Sequence, residues 1–259
     1  MNPPPSVTER ALRVLGAFTP DRPALTLSEI SRLTGLPIAT AHRLTGELTR
    51  WGALERDHRG VYRIGLRLWE VGALAPRGLG LREAAMPFLE DLYEATHQNV
   101  QLAVLDGLDV VYVEKISGRG AVNVLTKVGG RFAAHATGVG LALLAHAEPM
   151  VQERALAARL NAFTPRTIVD PRELRRVLAE VRRTGVAVSD GQVELVALSI
   201  AAPINGPDDT VVAALSVVVP ASGAGPQMYV PAVRQAALGV SRALGAPRTR
   251  ARRQGSAAS

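Results

Sequence analysis

The stretch Leu25 to Ile64, LTLSEISRLTGLPIATAHRLTGELTRWGALERDHRGVYRI, decides the fold of the N-terminal part of the chain. Thr26 followed three residues later by Glu29 is a capping box, a pattern typical of a helix start. Gly35 is placed to end this helix, and Pro37 is tolerated as the first residue of a second helix because its missing N–H would be unpaired there. The apolar stripe of the first helix consists of Leu27, Ile30 and Leu33.

The second helix and the residues after it complete a winged helix-turn-helix. Two helices joined by a short turn that contains glycine are typical of this motif. Beyond Gly52, apolar residues flank a polar tip at 57–60, which predicts a β-hairpin, the wing. Gly46 inside the second helix costs about 1 kcal/mol relative to alanine, which indicates close packing or close approach of DNA. The residues expected on the buried side of this helix are Ala41, Leu44, Leu48 and Trp51.

The exposed side of the second helix and the wing carry side chains suited to DNA. Arg43 can pair with guanine in the major groove, and Thr40 can meet a phosphate or a thymine methyl. Arginines of the wing can hold flanking phosphates or enter the minor groove. The residues predicted to contact DNA are Thr40, His42, Arg43, Arg56, Arg59 and Arg63. Such modules also mediate protein contacts, but the set of cap, turn, helix and wing favours double-stranded DNA as the partner.

Composition and charge indicate a basic N-terminal domain joined to a nearly neutral second domain. The chain of 259 residues has a net charge of +7, and 47% of its residues are hydrophobic. Residues 1–80 and the tail from Pro247 each carry +4, whereas residues 81–246 carry −1. This distribution suits a polyanion-binding domain attached to a ligand-binding or assembly domain. The chain has no cysteine, which excludes disulfides and thiolate catalysis.

The chain is predicted to contain two domains. The predicted parts are a disordered lead at 1–6, a winged helix-turn-helix domain at 7–65, a linker helix at 66–80, an effector-binding and oligomerisation domain at 81–246, and a disordered basic tail at 247–259. The large apolar side chains of the linker helix imply burial against the same helix of a second subunit. The first ten residues lack a signal pattern and no run of 18 apolar residues occurs, which predicts a cytoplasmic protein with no membrane partner.

Hydrophobic periodicity predicts that the second domain is α+β with a largely antiparallel sheet. The expected order is a helix, three strands, three helices, three strands and a closing helix. The first two strands flank a turn at 106–109, and the third runs from Val122 to Val128. A second capping box at Asp170 and Glu173 opens a helix that stops at Gly185.

The second domain carries no recognisable catalytic motif. Nucleophile-elbow, phosphate-loop and zinc-protease patterns are absent, so no catalytic residue, metal or cofactor is predicted. His135 is better explained as a hydrogen-bonding residue at a helix start than as a metal ligand. Backbone N–H groups at the helix start beside Thr137 make a natural seat for an anion. With the nearby hydroxyls they suit a small carboxylate, although packing explains sheet serines such as Ser199 and Ser216 equally well.

Five stretches together resemble the IclR family of transcriptional regulators over residues 7–245. They are LTLSEISRLTGLPIATAHRLTGELTRWGAL, YRIGLRLWEVG, GGRFAAHATGVGLALLA, DPRELRRVLAEVRRTGVAVSD and LSIAAPINGPDDTVVAALSVVVP. The resemblance implies a winged-helix domain, a linker helix that dimerises, and a GAF-like effector domain. It also implies a homodimer or a dimer of dimers that binds a palindromic operator and responds to small organic acids.

The resemblance also implies an effector pocket, lined by Gly138, Val139, Ser189, Asp190, Ser199 and Ser216. The chain departs from the family pattern around this pocket. Gly191 and Gln192 stand where the family usually has acidic residues. Val196 replaces a glycine that is common in the family, and Val218 replaces a second serine of the pocket. Such a pocket is expected to be less polar than one built for acids the size of glyoxylate. The run GVAVSDGQVELVALSIAAPI is similar to the aromatic-acid branch of the family.

The sequence therefore predicts a DNA-binding transcriptional regulator, not an enzyme, whose operator binding is modulated by a small organic acid and which controls a catabolic operon. Two alternatives remain: an enzyme with an appended DNA-binding head, and an architectural DNA-binding oligomer with no effector. The missing catalytic constellation disfavours the enzyme. The hydroxyls of Ser189, Ser199 and Ser216 disfavour the architectural protein.

Overall fold

A computed structural model of the chain describes residues 5–75, 78–118, 120–223 and 225–247. The chain forms two compact units, Met1–Gly80 with Lys127–Gly130, and Leu81–Thr126 with Arg131–Ser259. The domain limits given above stay predictions. Most of the predicted lead and nearly all of the predicted basic tail lie outside the described residues. Within the described ranges, the structure contains no helix that is both long enough and apolar enough to cross a membrane.

The first unit is a winged helix-turn-helix with a small antiparallel sheet in the order β1-β3-β2. Its elements are α1 (Val7–Leu15), β1 (Ala24–Thr26), α2 (Leu27–Thr34), α3 (Ile38–Trp51), β2 (Leu54–Arg56), β3 (Val61–Ile64) and α4 (Leu66–Ala73). The strand β1 pairs with β3 and was not predicted. The core shared by the helices and the wing includes Val14, Leu25, Ile30, Ala41, Leu44, Leu54 and Tyr62.

Local sequence signals set the limits of the two central helices. The capping box is confirmed, because Glu29 N donates to Thr26 Oγ1 while the Glu29 carboxylate accepts from Thr26 N at 2.7 Å. Gly35 ends α2 at φ 69°, a left-handed conformation that glycine adopts without steric cost. Pro37 takes the N-cap position of α3 instead of the first helical position that was predicted. The inward placement of Leu33 and Trp51 was wrong, since both side chains are exposed.

The second unit is α+β, as predicted, and its sheet lies between two helical layers. Its elements are α5 (Leu79–Thr96), β4 (Asn99–Asp106), β5 (Asp109–Ile116), β6 (Arg131–Ala133), a 3₁₀ turn (Ala134–Ala136), α6 (Gly138–His146), α7 (Pro149–Ala157), α8 (Pro171–Thr184), β7 (Ala187–Asp190), β8 (Ala197–Asn205), β9 (Val211–Pro220), a 3₁₀ turn (Pro226–Met228) and α9 (Val230–Ala243). The six strands are antiparallel in the order β6-β5-β4-β9-β8-β7. Helices α5 and α9 pack on one face of the sheet, and α6 and α8 contribute the core on the other face.

Residues 121–126, which we call the strap, replace most of the third strand that was predicted at Val122 to Val128. That strand was wrong: the third strand of the unit is β6, and no ladder bonds join the strap to the sheet. Side chains hold the strap instead. Asn99 Nδ2 donates to Val122 O at 2.7 Å, and Lys115 Nζ donates to Thr126 O at 2.9 Å. The strap is therefore attached to β4 and β5 by individual side-chain bonds and not through a ladder.

A β-bulge in β5 reverses the faces to which the side chains after it point. Leu102 of β4 pairs with Glu114 and the next residue, Ala103, pairs with Tyr112, so Val113 is an extra residue. Glu114 consequently lies on the α5 side, where it is buried and forms an ion pair with Arg82. Beyond the bulge, the following residue, Lys115, lies on the α6 side.

The second capping box was wrong in one respect. Asp170 is the N-cap of α8, but its side chain accepts from Arg172 N at 2.9 Å, one residue before the Glu173 N–H of a capping box. Pro171 stands at the first helical position, and Gly185 ends the helix at φ 70°. The helix begins and ends at the residues that the sequence indicated, because one cap bond and the glycine are sufficient.

Candidate DNA-contacting surface and effector pocket

The exposed face of α3 carries the side chains predicted to contact DNA. His42 and Arg43 are exposed and Thr40 is half-buried. Arg43 Nη1 lies 2.6 Å from Glu47 Oε1, one helical turn further on. This ion pair is exposed, so it adds little to stability, and it holds the guanidinium along the helix surface. Gly46 is on the same exposed face, and an added Cβ there would meet no atom within 4 Å.

Asp57 organises the tip of the wing. Its Oδ1 accepts from the backbone N–H groups of Arg59 and Val61, both at 2.9 Å, and its Oδ2 accepts from Arg63 Nη1 at 3.1 Å. The backbone bond from Val61, aided by those from Arg63 and Arg59, holds the pKa of Asp57 below its ordinary value. The guanidinium of Arg56 lies over the ring of Tyr62 at 5.5 Å. The predicted wing arginines are therefore arranged on one fixed hairpin.

Two further arginines belong to the surface of the first unit and were missed from the sequence. Arg50 is exposed and stands seven residues, or two turns, beyond Arg43 on α3. Helical spacing alone could have identified it. Arg67 of α4 lies over the Trp51 ring at 4.8 Å from its centroid. This cation–π contact gives the exposed indole a partner.

The second unit contains a pocket at the start of α6. The volume that the centres of water molecules can occupy in it is about 40 Å³, so the pocket has room for a few waters. Its residues come from six strands (β4 to β9), the strap, the first 3₁₀ turn, the start of α6 and the segment between β7 and β8. The lining residues are Gln101, Tyr112, Val124, Thr126, Phe132, Ala136, Thr137, Gly138, Ser189, Gln192, Val193, Glu194, Ala197, Ser199 and Val218.

Two aromatic rings and a few fixed polar groups characterise this pocket. Tyr112 and Phe132 meet edge to face, with ring centroids 6.2 Å apart. Burial raises the pKa of the Tyr112 phenol well above its ordinary value; an interaction with the Thr137 side chain lowers it and the negative charge of Glu194 raises it further. Tyr112 is therefore a hydrogen-bond donor at any physiological pH. Gln101 Nε2 donates to Thr126 Oγ1 at 2.6 Å, which ties the strap to β4.

The N-terminus of α6 opens onto the pocket. Thr137 is the N-cap, and its Oγ1 accepts from Gly140 N at 3.1 Å. Gly138 must be glycine here, because a Cβ would lie 2.6 Å from Ser199 Oγ. The first backbone N–H groups of α6 and the hydroxyl of Ser199 thus occupy one corner of the pocket, an arrangement suited to an anion.

The structure brings together three of the six residues predicted to bind the effector. Gly138, Ser189 and Ser199 line the pocket, and Ser189 Oγ donates to Ala136 O at 3.0 Å. The other three do not line it. Val139 packs in the core, Asp190 is exposed and pairs with Arg166 at 3.0 Å, and Ser216 is buried beside Gln101. The role of all six in binding stays a prediction.

His135 has a partner in the backbone. His135 lies in the 3₁₀ turn before α6, and its Nε2 is 3.1 Å from Asn161 O. Burial lowers its pKa, and the bond with Asn161 raises it. A hydrogen-bonding role explains this histidine, as the sequence indicated. Among the residues that the structure describes, no three His, Cys, Asp or Glu side chains are grouped to hold a metal ion.

Comparison with known proteins gives the family. Residues 7–58 match the model of the IclR helix-turn-helix domain, and residues 75–242 match that of the C-terminal domain of bacterial IclR transcriptional regulators. The chain belongs to the IclR family. This IclR-family protein is a DNA-binding transcriptional regulator with a C-terminal ligand-binding domain, and it is not an enzyme.

Three relatives of this IclR-family regulator are informative. It is 32% identical to the HTH-type transcriptional regulator XynR of Escherichia coli strain K12, over 92% of this chain and 97% of that protein. It is 31% identical to the Pca regulon regulatory protein of Pseudomonas putida, over 80% and 72%. A crystal structure of an IclR homolog from Microbacterium hydrocarbonoxydans, complexed with 4-hydroxybenzoate, is 41% identical with a TM-score of 0.87, covering 92% of this chain and 99% of that one.

Proposed function

We propose that a small aromatic acid, bound in the pocket at the start of α6, modulates operator binding by this regulator and so controls a catabolic operon. The observation that carries the proposal is the pocket itself, in which hydroxyls and helix N–H groups stand beside the rings of Tyr112 and Phe132. The 4-hydroxybenzoate bound to the Microbacterium homolog supports an aromatic acid.

The chemistry of the lining suits an aromatic carboxylate. Donors are offered by the hydroxyls of Tyr112 and Ser199 and by the N–H groups at the start of α6, and about half of the other lining residues are apolar. Since the free space holds only a few waters, an aromatic ring must displace part of the lining. The strap is joined to the neighbouring strands by side-chain bonds and not by a ladder, so it is the element we expect to move.

The DNA contacts proposed for this regulator divide into two kinds. Arg43 and Thr40, with His42, would read bases from α3, and the wing arginines Arg56, Arg59 and Arg63 would hold phosphates. The arginines found in addition, Arg50 and Arg67, would extend the phosphate contacts. A palindromic operator requires two such units, and therefore an oligomer.

The linker helix α4 is the proposed dimer contact. None of its residues is buried, although it is rich in large apolar side chains. Those exposed within the helix are Leu66, Trp69 and Val71, and the C-cap residue Leu74 is exposed as well. A cluster of this kind on a short helix is typical of a surface that another chain covers.

Replacing Trp69 with glutamate should dissociate the oligomer. Trp69 is 62% exposed in the single chain, and a tryptophan at the centre of an interface often costs 2 kcal/mol or more on truncation. We expect the dimer dissociation constant to rise at least about thirtyfold, measured by sedimentation equilibrium. The exposed Leu238→Glu on α9 is the control. An unchanged dissociation constant for Trp69→Glu would place the dimer contact elsewhere.

Replacing Gly46 with alanine should separate stability from DNA binding. The added Cβ meets no atom within 4 Å, so the close-packing explanation for Gly46 fails and α3 should gain up to about 1 kcal/mol of stability. We expect operator affinity to fall, because the methyl group would stand between the helix and the DNA. Urea unfolding and fluorescence anisotropy measure the two effects.

Gly80→Ala in α5 is the matched control for that substitution, since its Cβ also meets nothing within 4 Å. It should leave operator affinity unchanged. A Gly46→Ala protein that binds the operator as tightly as the wild type would contradict close approach of DNA at this point.

Fluorescence anisotropy of the full-length protein on its own upstream DNA tests the proposed function, with random DNA as the control. The titration is repeated at several salt concentrations and with a panel of aromatic and aliphatic acids. We expect preferential binding to the upstream DNA that one aromatic acid weakens or strengthens. Equal binding to both DNAs, unchanged by every acid, would support an architectural protein instead.

A further inference from the structure

Glu194 is the one acidic side chain among the described residues that line the effector pocket, and no lysine, arginine or histidine accompanies it there. It lies in the segment between β7 and β8 and is half-buried. Its Oε2 accepts from Leu125 N of the strap at 3.2 Å. Within the described part of the chain, its other oxygen, Oε1, receives no hydrogen bond.

A carboxylate in this position constrains any acid that enters. Two like charges repel strongly where water is scarce, so the carboxylate of the ligand should lie away from Glu194. The α6 corner, with Ser199 and the helix N–H groups, is the place that attracts it. The part of the ring that faces Glu194 should then carry a hydrogen-bond donor, because a ligand that covers the half-buried carboxylate without offering a donor leaves an oxygen desolvated and unsatisfied.

We propose that Glu194 selects aromatic acids that bear a hydroxyl or amino group on the ring, by accepting a hydrogen bond from that group. This inference rests on the proposed function, since it names the class of acid that the same pocket prefers. Hydrogen bonds to an ionised acceptor are stronger than those between neutral groups. A ring without a donor would leave the Glu194 oxygen desolvated against carbon.

Isothermal titration of the full-length protein with a matched series of acids tests the proposal. The series comprises benzoate, 3-hydroxybenzoate, 4-hydroxybenzoate, 4-aminobenzoate and 4-methylbenzoate, the last being similar in size to 4-hydroxybenzoate but lacking a donor. We expect the best donor-bearing acid to bind the wild type at least about tenfold more tightly than benzoate or 4-methylbenzoate. Glu194→Leu should bring that ratio close to one, and Glu194→Gln, a neutral acceptor of the same shape, should give an intermediate ratio.

The ratio of affinities for acids with and without a donor distinguishes two roles of Glu194: recognition of the ligand and support of the strap. If Glu194 acted only through its bond to Leu125, both variants would weaken all five acids alike and leave the ratio unchanged, which would overturn the proposal. Glu153→Gln on α7 removes an equal charge from an exposed ion pair with Arg175 and should keep the wild-type ratio. Equal affinity of the wild type for all five acids overturns the role of Glu194 alone. If no acid binds, the proposed function falls with it.

Discussion

Ser199→Leu should abolish the response of operator binding to the effector. Ser199 lines the pocket and touches Gly138 at the N-terminus of α6. A leucine here both removes a hydroxyl donor and fills the small free volume. We expect effector affinity to fall at least about a hundredfold, while operator affinity without ligand stays close to that of the wild type. Isothermal titration and anisotropy on operator DNA measure the two quantities.

Ser199→Ala is the matched control for this substitution. It removes the hydroxyl but leaves the space, so effector affinity should fall by only about 1 kcal/mol, the typical contribution of one hydrogen bond. Thermal unfolding shows whether the leucine has overpacked the pocket, which costs about 1–3 kcal/mol in many cores. A stable Ser199→Leu protein that still responds normally would mean that the effector binds elsewhere.

Arg43→Ala should lose sequence-specific affinity, whereas Arg59→Ala should weaken binding to every DNA. A base-reading arginine contributes about 1–3 kcal/mol of specific affinity, and a phosphate contact acts about equally on all sequences. Anisotropy with operator and random DNA gives the two losses for each variant. The slope of affinity against salt should become shallower by about one unit for Arg59→Ala.

The Arg43→Ala variant needs a control for Glu47, because it removes the guanidinium that lies 2.6 Å from the Glu47 carboxylate. The double variant Arg43→Ala/Glu47→Ala removes that charge, and any recovery of affinity measures repulsion from DNA. Arg175→Ala, on α8 and paired with Glu153, controls for the overall loss of one positive charge. Matching losses on operator and random DNA for both Arg43→Ala and Arg59→Ala would contradict the division of roles.

The winged helix-turn-helix could be predicted because its signals are local. The capping box at Thr26 and Glu29 and the left-handed Gly35 each act within a few residues of the boundary they set. The wing needs only apolar runs on both sides of a polar tip. The exposure of Trp51 could not be predicted, because its partner, Arg67, belongs to the next helix.

The strap was mistaken for a strand because it has the same alternation of side chains. Val124 and Thr126 are buried while Leu125 between them is exposed, the period of two that a half-buried strand shows. The buried side faces a pocket here, and side chains of β4 and β5 replace the ladder. No pattern within the strap itself reports those distant partners.

Only part of the pocket could be predicted, since its lining spans residues from Gln101 to Val218 on many elements. Gly138, Ser189 and Ser199 followed from the family resemblance. Tyr112 and Glu194 did not, because nothing near them in sequence indicates a cavity. Their contribution depends on how β5 and the segment before β8 meet in the folded sheet.

The extra residue in β5 decides which charged side chain lies behind the strap. Lys115 follows the bulge on the α6 side, where its Nζ donates to Thr126 O of the pocket lining. If Val113 were instead part of a regular ladder, strict alternation from Tyr112 would turn Glu114 to that side and Lys115 to the other. The carboxylates of Glu114 and Glu194 would then both lie next to the strap, and an acid in the pocket would be repelled. One unpaired residue thus determines the sign of the charge behind the strap, although it does not line the pocket itself.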